Sequence, residues 1–452
     1  MSKFRKFVLP ALLVAASTLA AACGTKTAST PGGALSSLAA VTAVRLSYRY
    51  EADVPAPENA ADAAVEERNA AVQNDFDQNR AHEALDKTIV SPDKKRVLAV
   101  YHRLGDQSSE FRLDMYTADG RLLRKVTADS MAVHFPDTIR WAPDSSSVAF
   151  VAMLRAVAYD PTATVQLPDA NTAIQRDSNL EDPVSEPSIE QPAGSSTPLP
   201  PSAILTFRTE QIYLCAAEGS GVKPITQTEG LIYFYYTWAP DSSALAALAA
   251  TSRDWAFLEQ QAELKGEIFQ PSGRPRIVER TGRERRLDDA LMIVQPVWSP
   301  DSSKVAVAFD KQIRIYDATG NNPTQAAIPL RNPLLISSQA YDREQQTKLD
   351  EAAQTNSQTN TTANATANQN TNASANQNTS AQPPIAQAPG SLPDERLLVS
   401  FNPIVQLRWS SPDLLYFQTA YVKLLKIESE SRTTFQRWHR LVLSPQAPAN
   451  TR

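Results

Sequence analysis

Short apolar runs with little polar alternation recur along this chain, each just after a Pro-Asp pair. They are Val97-Leu-Ala-Val-Tyr, Val148-Ala-Phe-Val-Ala-Met, Leu245-Ala-Ala-Leu-Ala-Ala and Val305-Ala-Val-Ala-Phe. Runs of this kind predict strands buried on both faces. Upstream of three of them a short strand ends in tryptophan, and the link is nearly constant: Trp141-Ala-Pro-Asp-Ser-Ser, Trp238-Ala-Pro-Asp-Ser-Ser and Trp298-Ser-Pro-Asp-Ser-Ser. Two degenerate copies flank these, Ile89-Val-Ser-Pro-Asp-Lys-Lys before Val97 and Trp409-Ser-Ser-Pro-Asp before Leu414-Leu-Tyr-Phe. Downstream, Phe111-Arg-Leu-Asp-Met-Tyr-Thr-Ala-Asp-Gly and Gln312-Ile-Arg-Ile-Tyr-Asp-Ala-Thr-Gly each read as a strand leading into a glycine hairpin and a further strand. Two strands around the Pro-Asp turn and two around the glycine turn make a four-stranded antiparallel unit.

The pattern therefore predicts an all-β chain, a five- or six-bladed β-propeller of four-stranded antiparallel blades. In its turns, proline presets φ, and aspartate or serine side chains accept hydrogen bonds from nearby backbone N–H groups. Trp141, Asp144, Trp238, Asp241, Trp298 and Asp301 are thus read as structural repeat positions, because repetition in the same turn of every unit marks scaffolding and not a ring of catalytic or metal-binding carboxylates. The repeat resembles the TolB-type β-propeller repeat, whose blades carry Trp-Ser-Pro-Asp-Gly followed by an apolar strand. The resemblance runs from about Thr88 to the end of the chain. Ser145, Ser242 and Ser302 stand where that family has glycine, which predicts a slightly different turn within the same fold. Pairing the N-terminal segment Val41-Thr-Ala-Val-Arg-Leu-Ser-Tyr-Arg-Tyr with the last blade's Phe435-Gln-Arg-Trp-His-Arg-Leu-Val-Leu would close the ring.

The third and fifth Pro-Asp turns follow intervals longer than the roughly 40 to 50 residues a blade needs. The excess near 160–202 is acidic and rich in proline, and that near 339–394 is dominated by Asn, Thr, Gln and Ala, so both read as disordered insertions. A third insertion near 55–86 reads as helical from Ala60 to Leu85, and Arg253 to Gly273 is a fourth excursion. With the strands of a blade labelled A to D, all four excursions fall in B–C or D–A connections. These share the rim opposite the Pro-Asp turns, and insertions on one rim commonly mark the binding side.

At the N-terminus, Lys3, Arg5 and Lys6 precede an apolar stretch and Leu19-Ala-Ala-Ala before Cys23, the order of a secretory signal with a small-residue cleavage site. A cysteine in that place resembles the lipobox of bacterial lipoproteins, which implies a signal peptide at 1–22, lipidation of Cys23 and a lipid-anchored, extracytoplasmic protein. Residues 23–40 then form a flexible tether and 41–452 the propeller. Cys215, the other cysteine, sits in the apolar Ile212-Tyr-Leu-Cys-Ala and reads as a small core residue. The net charge of −5 is spread along the chain, which argues against a nucleic-acid partner.

Candidate chemistry is sparse. Asp75, Asp77, Asn79 and Asp86 have the spacing of a calcium loop, but Arg80 holds the position whose sharp turn requires glycine. Gly219-Ser-Gly lies in a hairpin and no nucleophile elbow occurs. His82, His102, His134 and His439 fall in different units without a recurring partner, and zinc signatures are absent. No catalytic residue, metal site or cofactor is assigned. Tyr233-Phe-Tyr-Tyr-Thr-Trp238 offers aromatic rings for stacking a sugar or peptide, although blade packing is their commoner use. The reading is a non-catalytic, envelope-tethered propeller that binds another envelope protein, or a cell-wall or glycan ligand, on the rim carrying the insertions. The alternatives are a propeller lyase or hydrolase with acidic residues at its axial channel, or an accessory subunit of a sensor or transport complex.

Overall fold

A computed structural model describes residues 38–58, 68–107, 109–154, 209–321, 324–363 and 392–445, with side chains up to 353 in the fifth of these stretches. Cys23, the acidic insertion and residues 364–391 of the Asn-rich one lie outside the described residues. The earliest strand, β1 (Leu46–Glu51), is followed by helix α1 (Ala70–Asn79). The first blade comprises β2 (Glu83–Val90), β3 (Arg96–Arg103), β4 (Arg112–Thr117) and β5 (Leu122–Lys125). In the second blade β6 (Met131–Ala132) and β7 (Arg140–Trp141) both pair with β8 (Ser147–Leu154), followed by β9 (Gln211–Ala216) and β10 (Lys223–Pro224). The third has β11 (Leu231–Trp238), β12 (Ala244–Thr251), β13 (Arg274–Glu279) and β14 (Glu284–Arg286), with α2 (Ser252–Lys265) inserted after its second strand. The fourth has β15 (Val297–Trp298), β16 (Lys304–Phe309), β17 (Gln312–Asp317) and β18 (Gln325–Pro329), after which comes α3 (Arg331–Ala363). The fifth has β19 (Ile404–Ser411), β20 (Leu414–Lys423) and β21 (Arg432–Pro445), and its outer strand is β1.

All pairings within these sheets are antiparallel, and β1 runs in register along β21 from Leu46 opposite Pro445 to Glu51 opposite Arg440. The propeller thus has five blades among the described residues, and the first and last described strands, β1 and β21, pair in the last one. The core lies between blades. Leu98, Val100 and Met115 of the first blade pack on Trp141, Val148 and Phe150 of the second. Val151 and Ile212 pack on Tyr233, Trp238 and Leu245 of the third, and one continuous apolar layer then joins blades three, four and five.

Blade one is different on its far side. Val97, Tyr101 and Tyr116 point where Val148 and Leu245 face their preceding blades, but their cover is Val72 and Phe76 of α1. The corresponding far face of blade five carries Tyr416, Trp438, Arg440 and Glu51, all half-buried, with Arg440 bonded to Glu51 and to the Tyr416 hydroxyl.

Two expectations about the insertions need correction. The helix expected from Ala60 to Leu85 is described only as Ala70–Asn79, and the strand β2 already begins at Glu83. Asn69 starts that helix by accepting bonds from the N–H groups of Ala71 and Val72. Arg80 ends it, its guanidinium turning to Asp114 at 2.8 Å, Glu83 at 3.0 Å and Asp75 at 3.1 Å. Gln339 onward is not disordered as expected, because α3 continues to Ala363. Its Gln, Glu, Lys, Leu and Ala content favours helix, and the spaced pairs Glu344–Lys348 and Gln346–Asp350 support it.

Candidate functional site

The Pro-Asp turns form one rim. Ser145, Ser242 and Ser302 have φ of 60°, 64° and 59°, the left-handed conformation that glycine adopts most easily. Serine here takes a backbone conformation that glycine would adopt without strain, and it adds a hydroxyl. That hydroxyl reaches the preceding blade. Ser145 accepts from the N–H of Asp93, Ser242 from Asp144 and Ser302 from Asp241, each at 3.0 Å. The tryptophans repeat the device, with the indole N–H of Trp141 donating to Ile89 O, of Trp238 to Arg140 O and of Trp298 to Thr237 O. Within each turn the Asp144, Asp241 or Asp301 carboxylate accepts from the N–H and hydroxyl of the second serine, Ser146, Ser243 or Ser303. These interactions hold Asp144 and Asp301 below the usual carboxylate range against the upward push of burial.

Trp409 breaks the series by donating to Pro412 O of its own turn. At blade one, Val90 and Lys94 replace tryptophan and serine, Lys94 still with φ of 61°. The clasps therefore bind seams one/two, two/three and three/four only.

The expectation that all four excursions share the opposite rim holds only in part: α1 lies along the far face of blade one, with the Asn69 amide donating to Ala118 O in the β4–β5 turn, whereas the α2 excursion sits on the opposite rim and meets a blade connection there. Ile268 N–H donates to Leu424 O, and Lys426 N–H to Gly266 O, so the segment after α2 pairs with the connection between β20 and β21. Trp255 of α2 is buried among Phe135, Phe234 and Phe269, at ring distances of 5.9, 5.6 and 4.8 Å. Beside this junction opens a cavity of about 690 Å³, bounded by Leu291, Ile293, Phe309, Ile404, Val405 and Val422. Ile293 is 57% exposed and Val422 39%, while Met292 and Ile404 form a buried floor. Gln270 and Asp310 are its polar margin, and the next residue, Lys311, pairs with Asp310 at 3.1 Å and lies over the Phe401 ring. Such a surface favours apolar side chains over a sugar, which requires converging hydrogen-bond groups. The sequence signal that could have revealed it is Leu291-Met-Ile-Val294, an apolar run that belongs to a D–A connection and follows no Pro-Asp turn.

Other candidates are spent on structure. Tyr233, Phe234, Tyr236 and Trp238 are buried between blades, where they do not face a ligand. Asp75 holds Arg80 and the Tyr116 hydroxyl, Asn79 bonds back to Asp75, and Asp86 bonds His102, so the acidic spacing is not gathered into a loop. Asp77 is bonded by Gln73. His134 pairs with buried Glu210 at 2.8 Å, and His82 lines a separate shallow hollow beside Arg80. His439 stacks between Tyr50 and Phe417, bonded to Tyr50 and Thr419, and burial pushes its pKa down to about 3. Burial likewise pushes the Cys215 thiol up to about 12, away from thiolate chemistry. Among the described residues no group of three or more His, Cys, Asp or Glu could hold a metal ion, and no helix is long and apolar enough to cross a membrane.

No family model matches this chain, and no curated protein matches it. Solved structures similar to it include an oligogalacturonate lyase from Vibrio parahaemolyticus, 13% identical, with 54% of each chain covered and a TM-score of 0.29. A structure described as TolB from Agrobacterium tumefaciens is 12% identical, over 55% of this chain and 69% of that one, with a TM-score of 0.25. Prolyl oligopeptidase B from Galerina marginata is 10% identical, over 56% of this chain and 30% of that one, with a TM-score of 0.33. The matched region thus spans about half or less of the lyase and peptidase chains. These likenesses are weak, and the propeller assignment rests on the sheets themselves.

Proposed function

We propose that this chain is a non-catalytic binding module of the bacterial envelope, anchored by lipid on Cys23, that captures a partner protein through an apolar segment seated in the cavity between Ile293 and Val422. The observation that carries this reading is the cavity itself: an exposed apolar opening beside the α2 excursion, which water does not favour in a surface without a partner. Ala43 N–H donates to the Asp317 carboxylate and Val44 N–H to the Thr324 hydroxyl, so the chain entering the propeller docks on the Pro-Asp rim of blade four.

The test is photo-crosslinking in the native envelope from a probe at position 293, with a second probe at position 243 on the opposite rim. A specific partner captured from 293 alone, and lost when Val422→Asp places a charge in the cavity, is the expected result. Equal capture from both positions, or none, would sink the reading.

A further inference from the structure

On the Pro-Asp rim, at the seam between blades two and three, a cavity of about 230 Å³ of mixed lining adjoins a polar one of about 430 Å³, and Lys223 and Arg280 border both. Lys223 is exposed on the outermost strand of blade two, and Arg280 reaches across from the glycine turn of blade three. The Arg280 guanidinium bonds the Ser146 hydroxyl at 3.0 Å, lies 3.5 Å from the Asp144 carboxylate and sits 5.9 Å from the Trp238 ring. That fixes its position while leaving it partly exposed. Ser147 lines the smaller cavity, is 4% exposed, and its hydroxyl has no hydrogen-bond partner among the described residues. A buried hydroxyl left unbonded costs about 1–3 kcal/mol, which a ligand oxygen can recover. The larger cavity is lined by Gln227, Thr228 and Thr281, all exposed, with Glu284 at its edge already bonded to Arg276 and the Tyr233 hydroxyl.

We propose that this seam groove binds a phosphoryl group borne on a hydroxyl-rich body, the phosphate between Lys223 and Arg280 with the Ser147 hydroxyl, and the hydroxyls against Gln227, Thr228 and Thr281. Lys223, Arg280 shared with the Asp144 carboxylate, and the Ser147 hydroxyl match the negative charge and lone pairs of a phosphate mono- or diester. Flexible amide and hydroxyl side chains suit sugar or glycerol hydroxyls. The groove is independent of the apolar cavity on the other rim. The same chemistry could arrive as a soluble sugar phosphate or as a phospholipid headgroup.

The experiment titrates the full chain with glucose 1-phosphate by calorimetry, and separately with phosphatidylglycerol and phosphatidylcholine vesicles by co-sedimentation. Saturable binding that Arg280→Gln and Lys223→Gln each weaken about tenfold or more is expected from losing one charge-assisted bond. Binding of the sugar phosphate alone supports the site with a soluble ligand; binding of phosphatidylglycerol as well, with the same loss in both variants, supports it with a headgroup. Should Arg280→Gln disturb the Asp144 turn, Lys223→Gln decides, since Lys223 is exposed. No saturable binding of either probe, or binding that the variants leave unchanged, overturns the proposal.

Discussion

Blades two to four and the blade-five to blade-one side of this propeller use one sequence pattern with different completeness, and their seams are held differently. Where Trp-x-Pro-Asp-Ser-Ser is intact, an indole N–H and a serine hydroxyl each bond the preceding blade, beside a layer of buried aliphatic side chains. Where the copy is degenerate, neither bond forms: Val90 is 44% exposed, Trp409 turns to its own loop, and helix α1 covers the face of blade one. Blade five instead rests on β1, on the apolar layer it shares with blade four, and on a buried polar knot beneath α3. There Arg437 holds Asp53 at 2.7 Å and the Ser338 hydroxyl at 2.8 Å, while the Tyr50 hydroxyl bonds Ser337 and His439. The repeat motif is thus a seam device as well as a turn. Its decay in the terminal copies marks the two seams that lack it, four/five and five/one.

The largest expected contrast is between tryptophans. Trp238→Ala empties a buried seam position and strands the Arg140 carbonyl, and should cost about 3–5 kcal/mol in urea unfolding. Trp409→Ala, at a half-buried ring bonded only within its own turn, should cost about 1 kcal/mol. Equal losses would mean that the clasped seams carry no special weight.

The next contrast is in pH. His439 in the polar knot has its pKa lowered by burial from 6.5 to about 3. Below pH 6.5 the unfolded chain binds a proton that the folded chain refuses, so stability falls as pH drops from 6.5 towards 3, by up to about 1.4 kcal/mol per pH unit. Between pH 7 and pH 5 the wild-type chain should lose about 2 kcal/mol more than His439→Gln does. Identical losses would place the acid sensitivity outside blade five.

Much of this arrangement is legible in the residues. The apolar runs after each Pro-Asp pair become β3, β8, β12 and β16, and β1 joins the last blade, whose strand Phe435 to Leu443 otherwise lacks a partner. What escapes sequence reading depends on contacts distant along the chain. The left-handed serine is invisible because its side chain answers a backbone group on another blade, as between Ser242 and Asp144. Helix α3 straddles residue 339: its first turns bury Leu334 and Leu335 in the core, and the Glu344–Lys348 pair lies several turns further on, so the average composition of 339–394 conceals it. The cavity at Ile293 is formed by pieces of blades three, four and five, and no local pattern contains it.

The smallest effects separate the hydroxyl from the backbone. Ser242→Ala leaves the Asp144 N–H unbonded and a Cβ-bearing residue at φ of 64°, and should cost about 1–2 kcal/mol. Ser242→Gly relieves the backbone but still loses the bond to the second blade, so it should be destabilised by somewhat less. Lys94 occupies the same turn position with φ of 61°, and only its backbone N–H is engaged, donating to Ser91 O at 2.8 Å. No hydroxyl is lost there. Glycine removes a left-handed penalty of about 1–2 kcal/mol and costs about 0.5–1 kcal/mol in unfolded-chain entropy, so Lys94→Gly should stabilise by up to about 1 kcal/mol. Opposite signs for the two glycine substitutions, read from urea midpoints, would assign the stabilising role of the turn serine to its bond across the seam. If both substitutions stabilise, serine stands in for glycine at these turns without clasping anything, and the seams differ only in their apolar layers.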